Sequence, residues 1–321
     1  MTTRSAVAFT MQALVKYHGL KDWKLRLPYH DSISVNTTSM LTEATITDEK
    51  GGGVFIEGRK SHDASARLQP VVQRLRRGAK VEEFRIDSRN VPSSRAKGIG
   101  YSSSAGAVLT LLLHDTLLGG APNLEELSRT ARLFAASASR ALVGGFSRLY
   151  AGKDDSSTYA RKFADEKTMD LRMVIVPLPS KLRTEDVHRD VLTSPFFRAR
   201  VESAQRRCDQ MEKAILGNDL KTVGILGEVD TLELHGLTMT GQGRVIIMTE
   251  DSLRIINRVR RLREDGVEAY FTMQTGPSVF VNTTDRDESK VLRAISRLGY
   301  KAYLSKVGSE AHLVPSTGKG Y

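Results

Sequence analysis

Four segments of the 321-residue chain bring together residues able to hold charge on a bound molecule. The run Lys97-Gly98-Ile99-Gly100-Tyr101-Ser102-Ser103-Ser104-Ala105-Gly106 enters an apolar stretch directly, and the basic residues Arg95 and Lys97 stand at its start. Free N–H groups at a helix start, with the dipole behind them, attract an anion, and glycines let a phosphate approach the backbone. No Gly-Lys-Ser/Thr closes the run, so it is not a Walker loop; alone, such a stretch is more often an ordinary loop and helix cap. The second segment, Ser137 to Phe146, is a small-residue helix that delivers Arg140 and breaks at Gly144-Gly145. A guanidinium there suits a two-pronged contact to a carboxylate or phosphate, although a cation near a helix C-terminus is also what the dipole favours. The third joins Lys16-Tyr17-His18-Gly19 to Leu27-Pro28-Tyr29-His30-Asp31-Ser32-Ile33-Ser34-Val35, and the fourth is Tyr270 to Ser278, with Gln274 before a Gly-Pro turn. Each of these also reads as plain surface or hairpin.

The elements that must position these residues follow from periodicity. Strands are expected within Lys24–Thr47 and at Val54–Ile56, and apolar spacings of three and four predict a helix over Ala64–Arg77. A strand near Phe84–Asp87, a loop over Asn90–Gly100 and a buried helix over Ser102–Leu118 come next. One helix is expected from Leu124 to Leu142, then paired strands at Phe146–Ala151 and Thr158–Lys162. Beyond Met169 an apolar strand precedes helices at Phe196–Leu216, Leu220–Thr238 and Glu250–Asp265, a strand pair at Ala269–Met273 and Ser278–Val281, a helix at Glu288–Leu298 and a strand at Lys301–Ser305. This order predicts an α+β protein with an N-terminal half at residues 1–168 and a C-terminal half at 169–321.

Composition limits the chemistry. With 48 Lys and Arg against 37 Asp and Glu, the net charge of +11 fits either a nucleic-acid surface or a pocket for a highly charged small anion. The single cysteine, Cys208, cannot close an intramolecular disulfide, and the seven histidines lack metal-ligand spacing, so no bound transition metal is expected. No apolar run is long enough to span a membrane, and the N-terminus lacks a signal-peptide pattern, so a cytoplasmic chain is expected.

Taken in order, the four segments resemble the mevalonate diphosphate decarboxylases of the GHMP kinase superfamily over most of the chain. Lys16 to Val35 looks like that family's Lys-Tyr-Trp-Gly-Lys segment and its following Leu-Pro-x-Asn strand. Ser137, Arg140 and Gly144-Gly145 match the helix carrying its substrate serine and carboxylate-binding arginine. Thr193-Ser194-Pro195, Asp230, His235 and Gly276-Pro277 match further signatures. The resemblance implies a GHMP-type two-domain fold, with a ribosomal protein S5 domain 2-like N-terminal half and a ferredoxin-like C-terminal half.

The departures from the family bear most on the reaction. Gln274 stands where the family has the aspartate that promotes phosphorylation of the substrate 3-hydroxyl, and an amide cannot act as a carboxylate base. Leu20 replaces a lysine, His18 a tryptophan and His30 an asparagine, and the phosphate loop is one residue longer. The implied reaction is therefore the decarboxylation half alone: mevalonate 3,5-bisphosphate to isopentenyl phosphate, carbon dioxide and phosphate, without ATP, in an archaeal mevalonate pathway of isoprenoid synthesis. By resemblance Arg140, Ser137, Lys97 and Ser103 are the catalytic residues, and Lys16, Tyr17, His18, Ser102, Ser104, Arg95, Gly144 and Gln274 bind substrate. No cofactor is expected, with magnesium left open, and the related enzymes are usually homodimers. An ATP-dependent decarboxylase of mevalonate 5-phosphate or 5-diphosphate, with Asp31 or Asp230 as the base, and a mevalonate 3-kinase are the alternatives. RNA binding is the remaining one, disfavoured because the basic residues are scattered and no RNA-recognition signature is present.

Overall fold

The first thirteen-residue strand, Thr3–Val15, starts with alternating burial and ends buried on both faces. In the computed structural model, which describes residues 3–49, 51–94 and 96–315, it pairs antiparallel with the long strand Ser32–Thr47, from Thr3↔Thr47 to Val15↔Ile33. The register shifts between Phe9 and Met11 and again between Ala13 and Val15, so the strand is bulged where it approaches the site. Arg85–Val91, Gly53–Ile56 and Arg59–Lys60 extend this sheet on one side, and Phe146–Leu149 with Ala160–Ala164 continues it from the other end of Ser32–Thr47. The helix Tyr101–Leu117 lies over it and is apolar almost all round. Ala107, Val108, Leu111 and Leu112 pack there with Ile46, Ile86, Val54 and Leu68 in one buried cluster.

A second, four-stranded sheet has the order Ala269–Met273, Val279–Thr283, Arg172–Val176, Tyr303–Ser305, with every pair antiparallel. This is the strand order of a ferredoxin-like half. Helices Glu250–Glu264 and Glu288–Ser296 cover one face through Ile255, Val259 and Val291. Leu220–Thr240 covers the other, with Phe197–Leu216 packed between it and the first sheet, and their Ala204, Cys208, Met211 and Val223 share a cluster with Leu14, Val15, Ile33 and Val35 of that sheet. The two sheets therefore share a core. The strand His312–Val314 then returns to the first sheet and pairs beside Thr3–Val15, with Ser5 opposite Val314.

The expected elements need correction beyond the strand Thr3–Val15, which was not expected. The helix expected over Leu124–Leu142 is two helices, Leu124–Ala131 and Ala138–Val143. The break follows Arg132, a fully buried arginine whose guanidinium donates to the Leu25 carbonyl and the Asp155 carboxylate, partners off the helical course. No element was expected at Thr184–Asp190, which is a short helix. Among the described residues no helix is long and apolar enough to cross a membrane.

Candidate active site

A cavity of about 480 Å³ opens between the bulged end of Thr3–Val15, the loop before Tyr101, the turn before Ala138 and the segment Lys181–His188. Gly98 and Gly100 form its floor in left-handed conformations, at φ 80° and 92°. A Cβ at Gly100 would stand 2.8 Å from the Met11 carbonyl, one at Gly98 3.0 Å from the Gly276 Cα, and one at Gly276 2.4 Å from the Lys97 backbone. The loop is thus clamped between the first strand and the Gly276-Pro277 turn.

The helix start does not offer all its serines to this space. The N–H groups of Ser103 and Ser104 donate back to the Gly100 carbonyl at 2.9 and 3.1 Å. The Ser104 hydroxyl turns to Thr42, 2.6 Å away, and Ser104 is not part of the wall. Ser103 does line the cavity, with its Oγ donating to Ser137 Oγ at 2.7 Å, and Ser102 accepts from Arg67 Nη2 at 2.9 Å. Lys97 is exposed at the rim. Arg95 lies outside the described residues.

Arg140 is the cation at the centre. It is 1% exposed, yet its Nε and Nη1 have no hydrogen-bond partner, and the guanidinium lies 5.6 Å from the Tyr17 ring centroid. Burial pushes its pKa down to about 10. A guanidinium desolvated without an anion costs several kcal/mol, roughly, so this side chain is complete only with a bound negative group. Gly144, expected beside it, is outside the wall; it caps the Arg140 helix at φ 69°, where a Cβ would lie 2.2 Å from the Glu310 backbone.

Lys16, although in the wall, is already paired. Its Nζ donates to Asp230 Oδ2 at 3.2 Å, and Asp230 also accepts from Arg200 Nη2 at 2.6 Å and Arg207 Nη1 at 3.1 Å. Burial lowers Lys16 to about 8, while the three cations overcome burial and hold Asp230 far below the usual carboxylate range. Asp31 is engaged likewise, accepting from Arg148 Nε and Nη2 at 2.8 and 2.6 Å and from the Ala151 N–H at 2.7 Å. Neither aspartate lines the cavity, so neither is placed as a base toward a substrate.

Gln274 has a structural occupation. Its Nε2 donates to the carbonyls of Met11 and Gly98 at 3.1 and 3.2 Å, and its Oε1 accepts from the Ala13 N–H at 3.4 Å. The amide thereby serves the backbone groups that the bulged strand leaves unpaired and ties them to the glycine loop at Gly98. His18 also lines the wall, stacked on His188 with ring centroids 4.3 Å apart. Its Nδ1 lies 3.0 Å from the Tyr17 carbonyl and must donate, which leaves Nε2 as an acceptor toward Thr275 Oγ1 at 3.3 Å. His188 has the opposite tautomer, because Gly19 N–H donates to its Nδ1. Burial holds both imidazoles below their ordinary range, His188 at about 4. His30 is buried away from the cavity, with Nδ1 on the Asp31 carbonyl. Sequence reasoning missed Trp23, Arg26, Arg67, Glu185 and His188 in this wall.

A glycine-rich loop at a helix start on one half, a ferredoxin-like second half, and a cationic cavity where they meet fit a GHMP-type two-domain scaffold. The model of a diphosphomevalonate decarboxylase-like N-terminal domain matches residues 8–160, and that of a mevalonate 5-diphosphate decarboxylase C-terminal domain matches residues 181–312. The chain belongs to the diphosphomevalonate decarboxylase family. It is 34% identical to a phosphomevalonate decarboxylase of Haloferax volcanii, over 97% of each chain. It is 27% identical to a mevalonate 3,5-bisphosphate decarboxylase of Thermoplasma volcanium, over 89% of this chain and 78% of that one. The crystal structure of mevalonate diphosphate decarboxylase from Staphylococcus aureus superposes with a TM-score of 0.88 over 98% of both chains, at 24% identity.

Proposed function

We propose that this protein decarboxylates a phosphorylated mevalonate, and that its substrate arrives already phosphorylated at C3, as mevalonate 3,5-bisphosphate, so that no ATP is needed. One observation carries the finer part. Among the described residues the cavity wall contains only two carboxylates, Asp63 and Glu185, and both are at its solvent side. Asp63 is 82% exposed, and Glu185 is ion-paired with Arg26. Beside the phosphate loop stands the Gln274 amide, which has no basic oxygen to take a hydroxyl proton.

The remaining half of the reaction needs no base. The C3–O bond breaks and the phosphate leaves with its electron pair. The C1–C2 pair becomes the C2–C3 π bond, and C1 departs as carbon dioxide. Arg140, with Ser137 beside it, would hold the carboxylate in line with the breaking C3–O bond. The loop from Gly98 to Ser102 and Lys97 would hold the phosphate as its negative charge grows, which is where preorganised donors lower the barrier. Tyr17 and His18 line the space between, and Lys16 acts from behind through its contact with Asp230.

The test is a panel of mevalonate 3-phosphate, 5-phosphate, 5-diphosphate and 3,5-bisphosphate, each with and without ATP, scored for alkene and phosphate. Alkene from the bisphosphate without nucleotide is expected; an absolute requirement for ATP would overturn it. The 34% identity to the Haloferax phosphomevalonate decarboxylase favours a second reading, ATP-dependent decarboxylation of mevalonate 5-phosphate. ADP formed in step with alkene would establish that one. A phosphorylated product that keeps its carboxylate would mean a kinase.

A further inference from the structure

The outer face of the C-terminal half carries a concentration of charge that the reaction above does not use. Arg254, Arg258 and Arg261 recur at spacings of four and three along Glu250–Glu264, and Lys290, Arg293 and Arg297 recur at three and four along Glu288–Ser296 and its C-cap. At about 100° per residue, each set forms one stripe on its helix. Five of the six are exposed and Arg258 is half-buried. Lys290 is bonded to Asp287 at 3.0 Å, whereas among the described residues the five arginines enter no ion pair.

Packing sets the two stripes face to face. The Arg254 guanidinium lies 5.8 Å from the Tyr300 ring centroid, and Tyr300 Oη donates to Asp251 Oδ1 at 2.6 Å. The start of the first helix is therefore beside the end of the second, and the pair is antiparallel. In both helices the stripe is rotated in the same sense from the buried row, which is Ile255 and Val259 in one and Val291 and Ala294 in the other. Antiparallel neighbours turn flanks of the same sense toward each other, so the six cations line one seam. Arg260, on the opposite flank, lies instead 5.9 Å from the ring centroid of Phe271 on the edge strand. Among the described residues, none from either helix lines the cavity.

We propose that this seam is a docking surface for the phosphate backbone of a double-stranded nucleic acid, a function separate from decarboxylation. Charge density carries the choice. Seven residues of helix rise about 10 Å, and a duplex carries roughly six phosphate charges over that length, which the six cations match. Guanidinium forks also suit paired phosphate oxygens. A lipid surface fits less well, because Leu253, 48% exposed, is on the Arg260 flank and adds no apolar anchor to the seam. Tyr300 is covered by Arg254 rather than free to stack on a base, so the contact is to backbone without regard to sequence.

Fluorescence anisotropy with a labelled duplex DNA, a duplex RNA and a single strand of equal length tests this on the full chain, beside sedimentation with phosphatidylcholine–phosphatidylserine vesicles. Four proteins are compared: wild type, the triple variant Arg254→Gln/Arg258→Gln/Arg261→Gln, the double variant Arg293→Gln/Arg297→Gln, and a control that removes the exposed cations Arg59, Arg77 and Lys153 as glutamine. For the wild type, log affinity against log salt is expected to fall with a slope of about −5. The triple variant should lower that slope to about −2.5 and weaken duplex binding about a hundredfold near 0.1 M salt, with the double variant between. The control should stay within about threefold of wild type, and all four should melt alike. Tighter binding of one duplex identifies RNA or DNA as the source of the backbone. Equal losses in the triple variant and the control would overturn the proposal, since they would mean a diffuse field. So would vesicles bound while both duplexes stay free, or a single strand bound as tightly as a duplex.

Discussion

Two buried arginine sites, one reaching Lys16 and the other Tyr17, differ in what balances them. Arg200 and Arg207 converge on Asp230 and Glu233, through contacts of 2.6 and 3.1 Å to Asp230 and 3.0 Å from Arg200 to Glu233. Every charge there has a protein partner. Arg140 is as deeply buried, but two of its nitrogens have no acceptor, and its nearest aromatic neighbour, Tyr17, offers only a ring face. Burial of charge is tolerable when the protein supplies the counter-charge, and where it does not the ligand must. The paired cluster therefore ties the two halves together, while the unpaired arginine is the one proposed above to meet the substrate carboxylate.

Three measurements bear on that contrast. The largest effect is expected from Arg140→Met, which should lower kcat/KM by about a thousandfold, roughly 4 kcal/mol of transition-state stabilisation. Its melting temperature should be unchanged or higher, because a lone buried charge has been removed. A parallel loss of stability would place Arg140 with the structural cluster instead. Asp230→Asn should do the opposite and destabilise the fold by about 3 kcal/mol or more in denaturant unfolding, since Lys16, Arg200 and Arg207 would be left facing a neutral amide. A variant of wild-type stability would show that the cluster's charges are not coupled. The smallest effect is a pH dependence. Lys16 loses its proton near pH 8 in the folded protein and near 10.5 in the unfolded chain, so between those values the unfolded chain binds more protons. Stability should then rise with pH across that window relative to Lys16→Met, by at most about 1.4 kcal/mol per pH unit. A difference that is flat or falls from pH 8 to 10 would contradict the lowered value.

The segments with strong local signals were legible in the sequence. The helices at Phe197–Leu216, Leu220–Thr240 and Glu250–Glu264 lie within a residue or two of their expected bounds, because caps and apolar spacing act over a few residues. Thr3–Val15 was not recognised, since its second half is buried on both faces and carries no alternation to read. The helix break after Arg132 depends on Leu25 and Asp155, distant in sequence. In the site, Arg140, Ser137, Ser103 and the glycine loop share one wall, as their joint resemblance to a family implied. Ser104 and Gly144 do not, because a residue next to a functional one along a helix points elsewhere. Arg26 and Glu185 carry no motif at all. Their pairing joins a hairpin turn to a helix 159 positions later, and only the fold brings them together.

The +11 surplus, read first as an attraction for anions in general, is therefore resolved locally: much charge near the site is already neutralised, while buried Arg140 keeps two nitrogens without a partner.

The return of His312–Val314 to the edge beside Thr3–Val15 has a mechanical consequence. The chain passes between its two halves twice, once after Ala164 and again after Ser305, where Gly308 is bonded to Asn36 and Gly145 on the way back. A single crossing makes a hinge; two separated crossings make a buckle, which resists swinging open. Such a buckle predicts that selection at the cavity depends more on the few residues at its mouth than on one half swinging over the other.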